Sequence, residues 1–192
     1  YIEGDSSKIY FVVVKDIFDK SAHIQMVTDR QAQTIVESLV EAWQLIGIPK
    51  VLQVDNGWEF QGSARWPRSF GKVICLCLRL KVELTFIPEG MAWRNGSVEN
   101  LNGQFNRLFV KALKFKNQAH IRLELKVLNE AVNTQHVHEA LGFKTSQQYR
   151  RGKKIKRLSP DFADYKDSLP ICAGTPFIHP SSQTLWPYYH PP

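Results

Sequence analysis

Apolar positions along the chain fall into runs of two periods. Ile9 to Val14 is a continuous apolar, β-branched run of strand length, and Ala22 to Val27 nearly alternates apolar with polar residues. With Asp16-Ile17-Phe18-Asp19-Lys20 between them, the two predict an antiparallel pair. Alternation turns His23 away from Ala22, Ile24 and Met26, which places it on the surface. Ile35, Val36, Leu39, Val40, Trp43 and Ile46 recur at three- and four-residue spacing, the signature of an amphipathic helix. Thr28 can cap that helix, and Gly47 and Pro49 can stop it. It leads into the short run Val51 to Val54, so strand, helix and strand predict a parallel unit.

Phe70 to Leu80 is apolar enough for a buried helix despite Gly71, and Val82 to Ile87 alternates as a strand closed by Pro88. Glu89 to Arg94 is then a loop, with Asn95 or Ser97 as the cap of the next helix. That helix presents Val98, Leu101, Phe105, Leu108, Phe109 and Ala112 as one stripe. Ala119 to Val132 is a further helix, with Ile121, Leu125 and Leu128 apolar. After Leu141 and Gly142 the chain turns polar, then basic. The stretch Leu169 to Pro192 holds six of the ten prolines and predicts a weakly ordered tail or the stump of a small domain.

With 192 residues, 43% hydrophobic and 22% charged, the chain suits one domain with a real core plus a tail. It has neither a run of eighteen apolar residues nor a charged-then-apolar leader, so a cytoplasmic protein without membrane contact is expected. Cys75, Cys77 and Cys172 are an odd set, and two helical positions apart Cys75 and Cys77 do not face each other. Core packing suits them better than a disulfide or a zinc site. The net charge of +7 resides almost wholly in Arg150, Arg151, Lys153, Lys154, Lys156 and Arg157; the remainder carries 19 basic and 18 acidic residues. Such a run is either a solvated linker or the electrostatic footprint of a phosphate-backbone contact.

Two stretches carry candidate chemistry. The run Val51 to Val54 enters Asp55-Asn56-Gly57, which reads either as a β-turn or as a carboxylate delivered to the carboxyl end of a buried strand. Glu99 falls in the first turn of its helix, where it would favour the helix dipole or serve as a ligand. Together the two acids suggest a pair able to hold a hard divalent ion such as magnesium. The sequon Asn95-Gly96-Ser97 is discounted because no secretion signal accompanies it.

The tract Val54-Asp55-Asn56-Gly57-Trp58-Glu59-Phe60, followed by Gly90 and by Trp93-Arg94-Asn95-Gly96-Ser97-Val98-Glu99, resembles the catalytic core of the retroviral-integrase-like transposases of bacterial insertion sequences. Asn133 to Thr145 adds a segment similar to that family's Asn-x-x-Arg-Pro-His-x-Ala-Leu-Gly. The resemblance covers roughly Tyr1 to Ser146. It implies a ribonuclease-H-like α/β fold, a mixed five-stranded sheet with helices on both faces. It also implies a catalytic core over 1–146, a basic linker over 147–168 and a tail or incomplete β domain over 169–192.

Carried over residue by residue, Asp55 matches the second acid of an Asp, Asp, Glu triad and Glu99 the third, so both would be catalytic metal ligands for Mg2+ or Mn2+. The implied activity is DNA strand cleavage and strand transfer by a homo-oligomer acting on element ends and target DNA. The basic run would hold phosphates without reading sequence. The resemblance departs in four ways. The two acids stand 44 positions apart, wider than the family's spacing, with extra residues between Gly62 and Lys81. Val132, His136, Val137 and Ser146 replace the usual Tyr, Arg, Pro and Pro. The match ends near Gly174. The first acid falls before Tyr1, leaving Asp5 in the expected turn and Asp16 and Asp19 past the second strand as candidate substitutes. A core lacking that ligand would be a non-enzymatic DNA-binding remnant, whereas a ribonuclease-type hydrolase of the same fold would cut without joining.

Overall fold

The computed structural model describes residues 8–57, 60, 70–88, 90 and 96–162. Strand β1 (Tyr10–Lys15) pairs antiparallel with β2 (Ala22–Val27), with Val13 opposite Ile24 and Phe11 opposite Met26. The turn between them is organised by acids. Asp16 Oδ1 accepts from the backbone N–H groups of Phe18 and Asp19, and Asp19 Oδ1 accepts from Ser21 N–H and Oγ–H.

The continuous apolar run of β1 follows from cover on both faces. Val12 and Val14 pack on a core built from helix α1 (Ala32–Leu45) and helix α2 (Lys72–Leu80). Phe11 and Val13 pack with Ile24 and Met26 on a second core, formed by helix α3 (Gly96–Phe105), the following turn and helix α4 (Gln118–Thr134). Helices therefore lie on both faces.

This double cover overturns the surface placement of His23. Its side chain faces α1, is only 9% exposed, and its Nε2 lies 3.1 Å from Glu41 Oε1. Alternation marks a face as solvent only when nothing packs there.

Helix α1 buries the expected stripe, with Trp43 fully enclosed. Its start differs from expectation: Gln31 occupies the N-cap position, and Asp29, not Thr28, organises the entry by accepting from Gln31 N–H and Thr34 Oγ–H. The acid wins because a carboxylate accepts two hydrogen bonds at once.

Strand β3 (Val51–Val54) pairs with β4 (Glu83–Phe86), and the pairing is parallel. A parallel crossover thus runs from β3 through α2 to β4, while among the described residues β2 and β3, the strands on either side of α1, do not pair directly. Cys75 and Cys77 are buried on α2 without a disulfide, in keeping with core packing, and burial pushes the Cys77 thiol up to about 12.

Ser97 lies inside α3, which begins at Gly96, and so is not its cap; Asn95 lies outside the described residues. After Phe105 the helix widens into a π turn over Asn106–Val110. That turn keeps Phe109 stacked on Phe105, with ring centroids 5.1 Å apart, and swings Leu108 outward to 62% exposure. Leu108 and Ala112 therefore leave the expected stripe.

Helix α4 extends over the expected segment and buries Ile121 and Leu125. The short strands β5 (Val137–His138) and β6 (Lys144–Thr145) form an antiparallel pair, and helix α5 (Ser146–Arg150) follows with a capping box from Thr145 and Gln148. Antiparallel and parallel pairing are both present, but among the described residues they form three two-stranded ladders and not the five-stranded sheet. The expected tail lies outside the described residues.

Candidate metal and DNA site

Asp55 follows the last residue of β3. The parallel ladder closes there, with Ile87 N–H donating to Val54 O at 2.9 Å and Asn56 Nδ2 donating to Ile87 O at 2.8 Å. Gly57 N–H then donates to Asp55 Oδ1 at 3.1 Å, an Asx turn that leaves the carboxylate exposed. The turn reading and the delivered-carboxylate reading thus describe one geometry.

Glu99 stands in the first turn of α3 and is exposed, while Leu101 and Phe105 anchor the helix in the core. The positive end of the helix dipole favours an anion at this position. Lys15 Nζ donates to Ser97 O at 3.1 Å and ties this first turn to the end of β1. Burial, and then the charge of Lys20, lower the pKa of Lys15.

Asp55 and Glu99 are oxygen donors of the kind that hard divalent ions take, and among the described residues neither is held in an ion pair. The donor set fits such an ion in type and exposure. Among the described residues no three His, Cys, Asp or Glu side chains gather into a metal-sized group. Asp16 and Asp19 are committed elsewhere: both hold the hairpin turn, and Asp19 Oδ2 lies 3.1 Å from Arg150 Nε. Asp5 lies outside the described residues.

The basic run lies along the carboxyl end of α1. Arg150 donates to Ile46 O, Arg157 Nε donates to Leu45 O at 3.0 Å, and Leu158 N–H reaches Trp43 O at 3.3 Å. Two of the six cations thereby complement the negative end of the helix and occupy carbonyls that its last turn leaves open. Arg151, Lys153, Lys154 and Lys156 remain exposed, with Lys153 Nζ lying 3.1 Å from the Tyr149 ring centroid.

The chain matches a chain of the cryo-EM structure of the simian T-cell lymphotropic virus intasome in complex with PP2A regulatory subunit B56 gamma. The identity is 22% and the TM-score 0.59, over 78% of this chain and 52% of that one. It also matches the HTLV-2 integrase catalytic core domain in complex with magnesium, in its dimeric form, at 18% identity and a TM-score of 0.54, over 71% of this chain and 81% of that one. Its fold is that of a retroviral integrase catalytic core. This integrase-core fold spans about half of the intasome chain. No family model matches the sequence, and no curated protein matches it. Among the described residues no helix is long and apolar enough to cross a membrane.

Sequence reasoning missed a pair of asparagines on α4 of this integrase-like core. Asn129 accepts from Ile24 N–H and donates to Ile24 O, both at 2.8 Å; Asn133 accepts from Ala22 N–H at 3.0 Å and donates to Ala22 O at 2.8 Å. The helix satisfies the free edge of β2 as a strand would. The signal was present in two asparagines four residues apart, on the edge of an apolar helical stripe.

Proposed function

We propose that this chain is a transposase or integrase catalytic core that cuts and joins DNA strands with a divalent metal, in the transposition of a mobile element or DNA integration. The observation that carries this reading is the placement of Asp55 and Glu99 in an integrase-core fold. One carboxylate leaves the carboxyl end of a parallel strand, where such sheets position chemistry, and the other stands in the first turn of a helix. Asp55 and Glu99 would hold Mg2+ or Mn2+, and a bound ion of this kind activates an attacking oxygen and stabilises the leaving one. The Asx turn fixes Asp55 at the strand end, and the contact from Lys15 to Ser97 fixes the helix that carries Glu99.

We also place one further strand between β1 and β3. Val12 and Val14 of β1, with Leu52 and Leu84 of the parallel pair, all pack on the core of α1, so the two ladders lie under one helix. Every residue of β1 is partly exposed despite a sequence suited to burial on both faces. A strand on its free edge would cover it and join the ladders into the mixed five-stranded sheet. By the family resemblance that strand carries the first acid.

DNA phosphates would meet Arg151, Lys153, Lys154 and Lys156, while Arg150 and Arg157 hold the segment in place. Removing any of the four should lower the salt dependence of DNA binding by about one unit of log–log slope. The protein would act inside the cell as a homo-oligomer, with Leu123 and Val127 exposed one turn apart on α4 as its contact; sedimentation of Leu123→Glu should then show smaller species.

The remnant reading is favoured by one observation, that Asp16 and Asp19 are spent on the hairpin. A labelled duplex, Mg2+ or Mn2+, this chain, an upstream-extended form and Glu99→Gln decide between the two. Joining by the extended form, lost by at least about a hundredfold with Glu99→Gln, supports the enzyme. Binding without cutting or joining in every form supports the remnant, and cutting without joining supports a hydrolase.

A further inference from the structure

A cavity of about 410 Å³ opens between the β1–β2 hairpin, α3 and α4, and neither Asp55 nor Glu99 lines it. Lys15, Lys20, His136 and His138 line it together with the neutral amides of Asn100, Gln104 and Gln135, and its apolar side includes Ile24, Leu101, Phe105, Phe109, Leu128 and Val132. Among the described residues no Asp or Glu lines it. Groups that carry or can take positive charge thus converge without an acidic counterpart, beside a wall of aliphatic and aromatic carbon.

His138 is the least satisfied member. Its Nε2 is buried and has no hydrogen-bond partner among the described residues, and its ring stands edge-on to His136 with centroids 4.6 Å apart. The charged or titratable groups facing it are His136, Lys15 of β1 and Lys20 of the hairpin turn. Burial first, then these three neighbours, depress its pKa. Lys15 and Lys20 each donate to one backbone carbonyl, of Ser97 and Ile17, and an ammonium has three donors, so both retain capacity for a ligand.

We propose that this cavity binds a small amphipathic anion, a phosphate monoester or carboxylate carried on an apolar body. The anionic head would take donors from Lys15, Lys20 and His138 and relieve their mutual repulsion, and the body would lie against Phe105, Leu128 and Val132. A bare inorganic anion would leave the apolar wall in water, whereas a neutral hydrophobe would leave the cations and the His138 Nε2 unmatched. The proposal does not require a metal at Asp55 and Glu99, and Lys15, whose contact with Ser97 O also ties down the helix that carries Glu99, is kept unchanged in every variant tested.

The test is calorimetric titration of the full chain with phenyl phosphate, inorganic phosphate and benzyl alcohol, with imidazole NMR signals recorded in parallel. Phenyl phosphate should bind at least about tenfold more tightly than either comparison compound and move the His138 signals. His138→Gln and Lys20→Gln should each weaken it by about tenfold. Val132→Phe, which fills the apolar side and keeps every cation, should abolish binding while circular dichroism confirms the fold. Equal affinity for inorganic phosphate would overturn the amphipathic assignment, as would unchanged binding in Val132→Phe or an absence of binding to the native chain. Displacement of phenyl phosphate by a DNA duplex, with duplex affinity lost in His138→Gln, would instead assign the cations to a DNA phosphate and also overturn the proposal.

Discussion

At the scale of single residues, hydrogen-bond satisfaction decides more than hydrophobicity. Ala22 is 1% exposed, and both its backbone groups rely on Asn133. Asn133→Leu preserves volume but orphans a buried donor and acceptor, at a cost of about 2 kcal/mol or more. Urea denaturation should show that loss, and a change below about 0.5 kcal/mol would remove Asn133 from this role. A second consequence concerns pH. The hydrogen bond from His23, and secondarily the charges of His23, Arg122 and Lys126, hold the Glu41 carboxyl below its ordinary range against the opposing effect of burial. A carboxylate depressed by folding contributes stability that is complete above its unfolded pKa and is lost as pH falls through the lower folded value. The stability difference between the native chain and Glu41→Gln should therefore be full at about pH 6 and vanish in acid. The Glu41 side chain is 46% exposed, so the difference is small. A difference that grows on acidification would contradict the pairing. Neither contact was legible in the sequence, because each joins residues that only the tertiary fold brings together.

At the scale of elements, periodicity located the main helices and strands and failed where a neighbour changed the rule. The apolar run of β1 and the stripes of α1 and α4 were readable because burial imposes them directly. Leu108 was misplaced because a π turn shifts the angular position of the residues within and beyond it. The basic run offered two readings, and its path over the end of α1 depends on a close approach that sequence does not encode. Gly47 makes that approach possible: at φ +102° it adopts a conformation that L side chains rarely take, and a Cβ there would meet Ile155 Cγ2 at 2.6 Å. Gly47→Ala should cost about 1–3 kcal/mol and accelerate amide exchange at Ile48, which donates to Lys156 O, and at Leu158. Unchanged exchange at both amides would mean that the segment is not held through Gly47.

At the scale of the whole molecule, the fold class was the most legible feature and the complete sheet the least. Helices on both faces of the β1–β2 pair, with a parallel pair beside it under α1, match the expectation carried by Asp55, Glu99 and the motifs around them. The sheet fell short because strand pairing is a property of neighbours: among the described residues β1 and β3 each use one edge, and no pattern within a strand names the partner of the other. The candidate site was legible in its residue types and in the elements that deliver them, but not in the positioning contacts from Lys15 and Asn56. The measurement that reaches the central claim most directly is Mn2+ binding followed by electron paramagnetic resonance in the native chain, Asp55→Asn and Glu99→Gln. If the two carboxylates share an ion, each substitution alone weakens binding by about tenfold or more and the double substitution adds little further. Native affinity in either single variant, or two losses that simply add, would contradict a shared metal site.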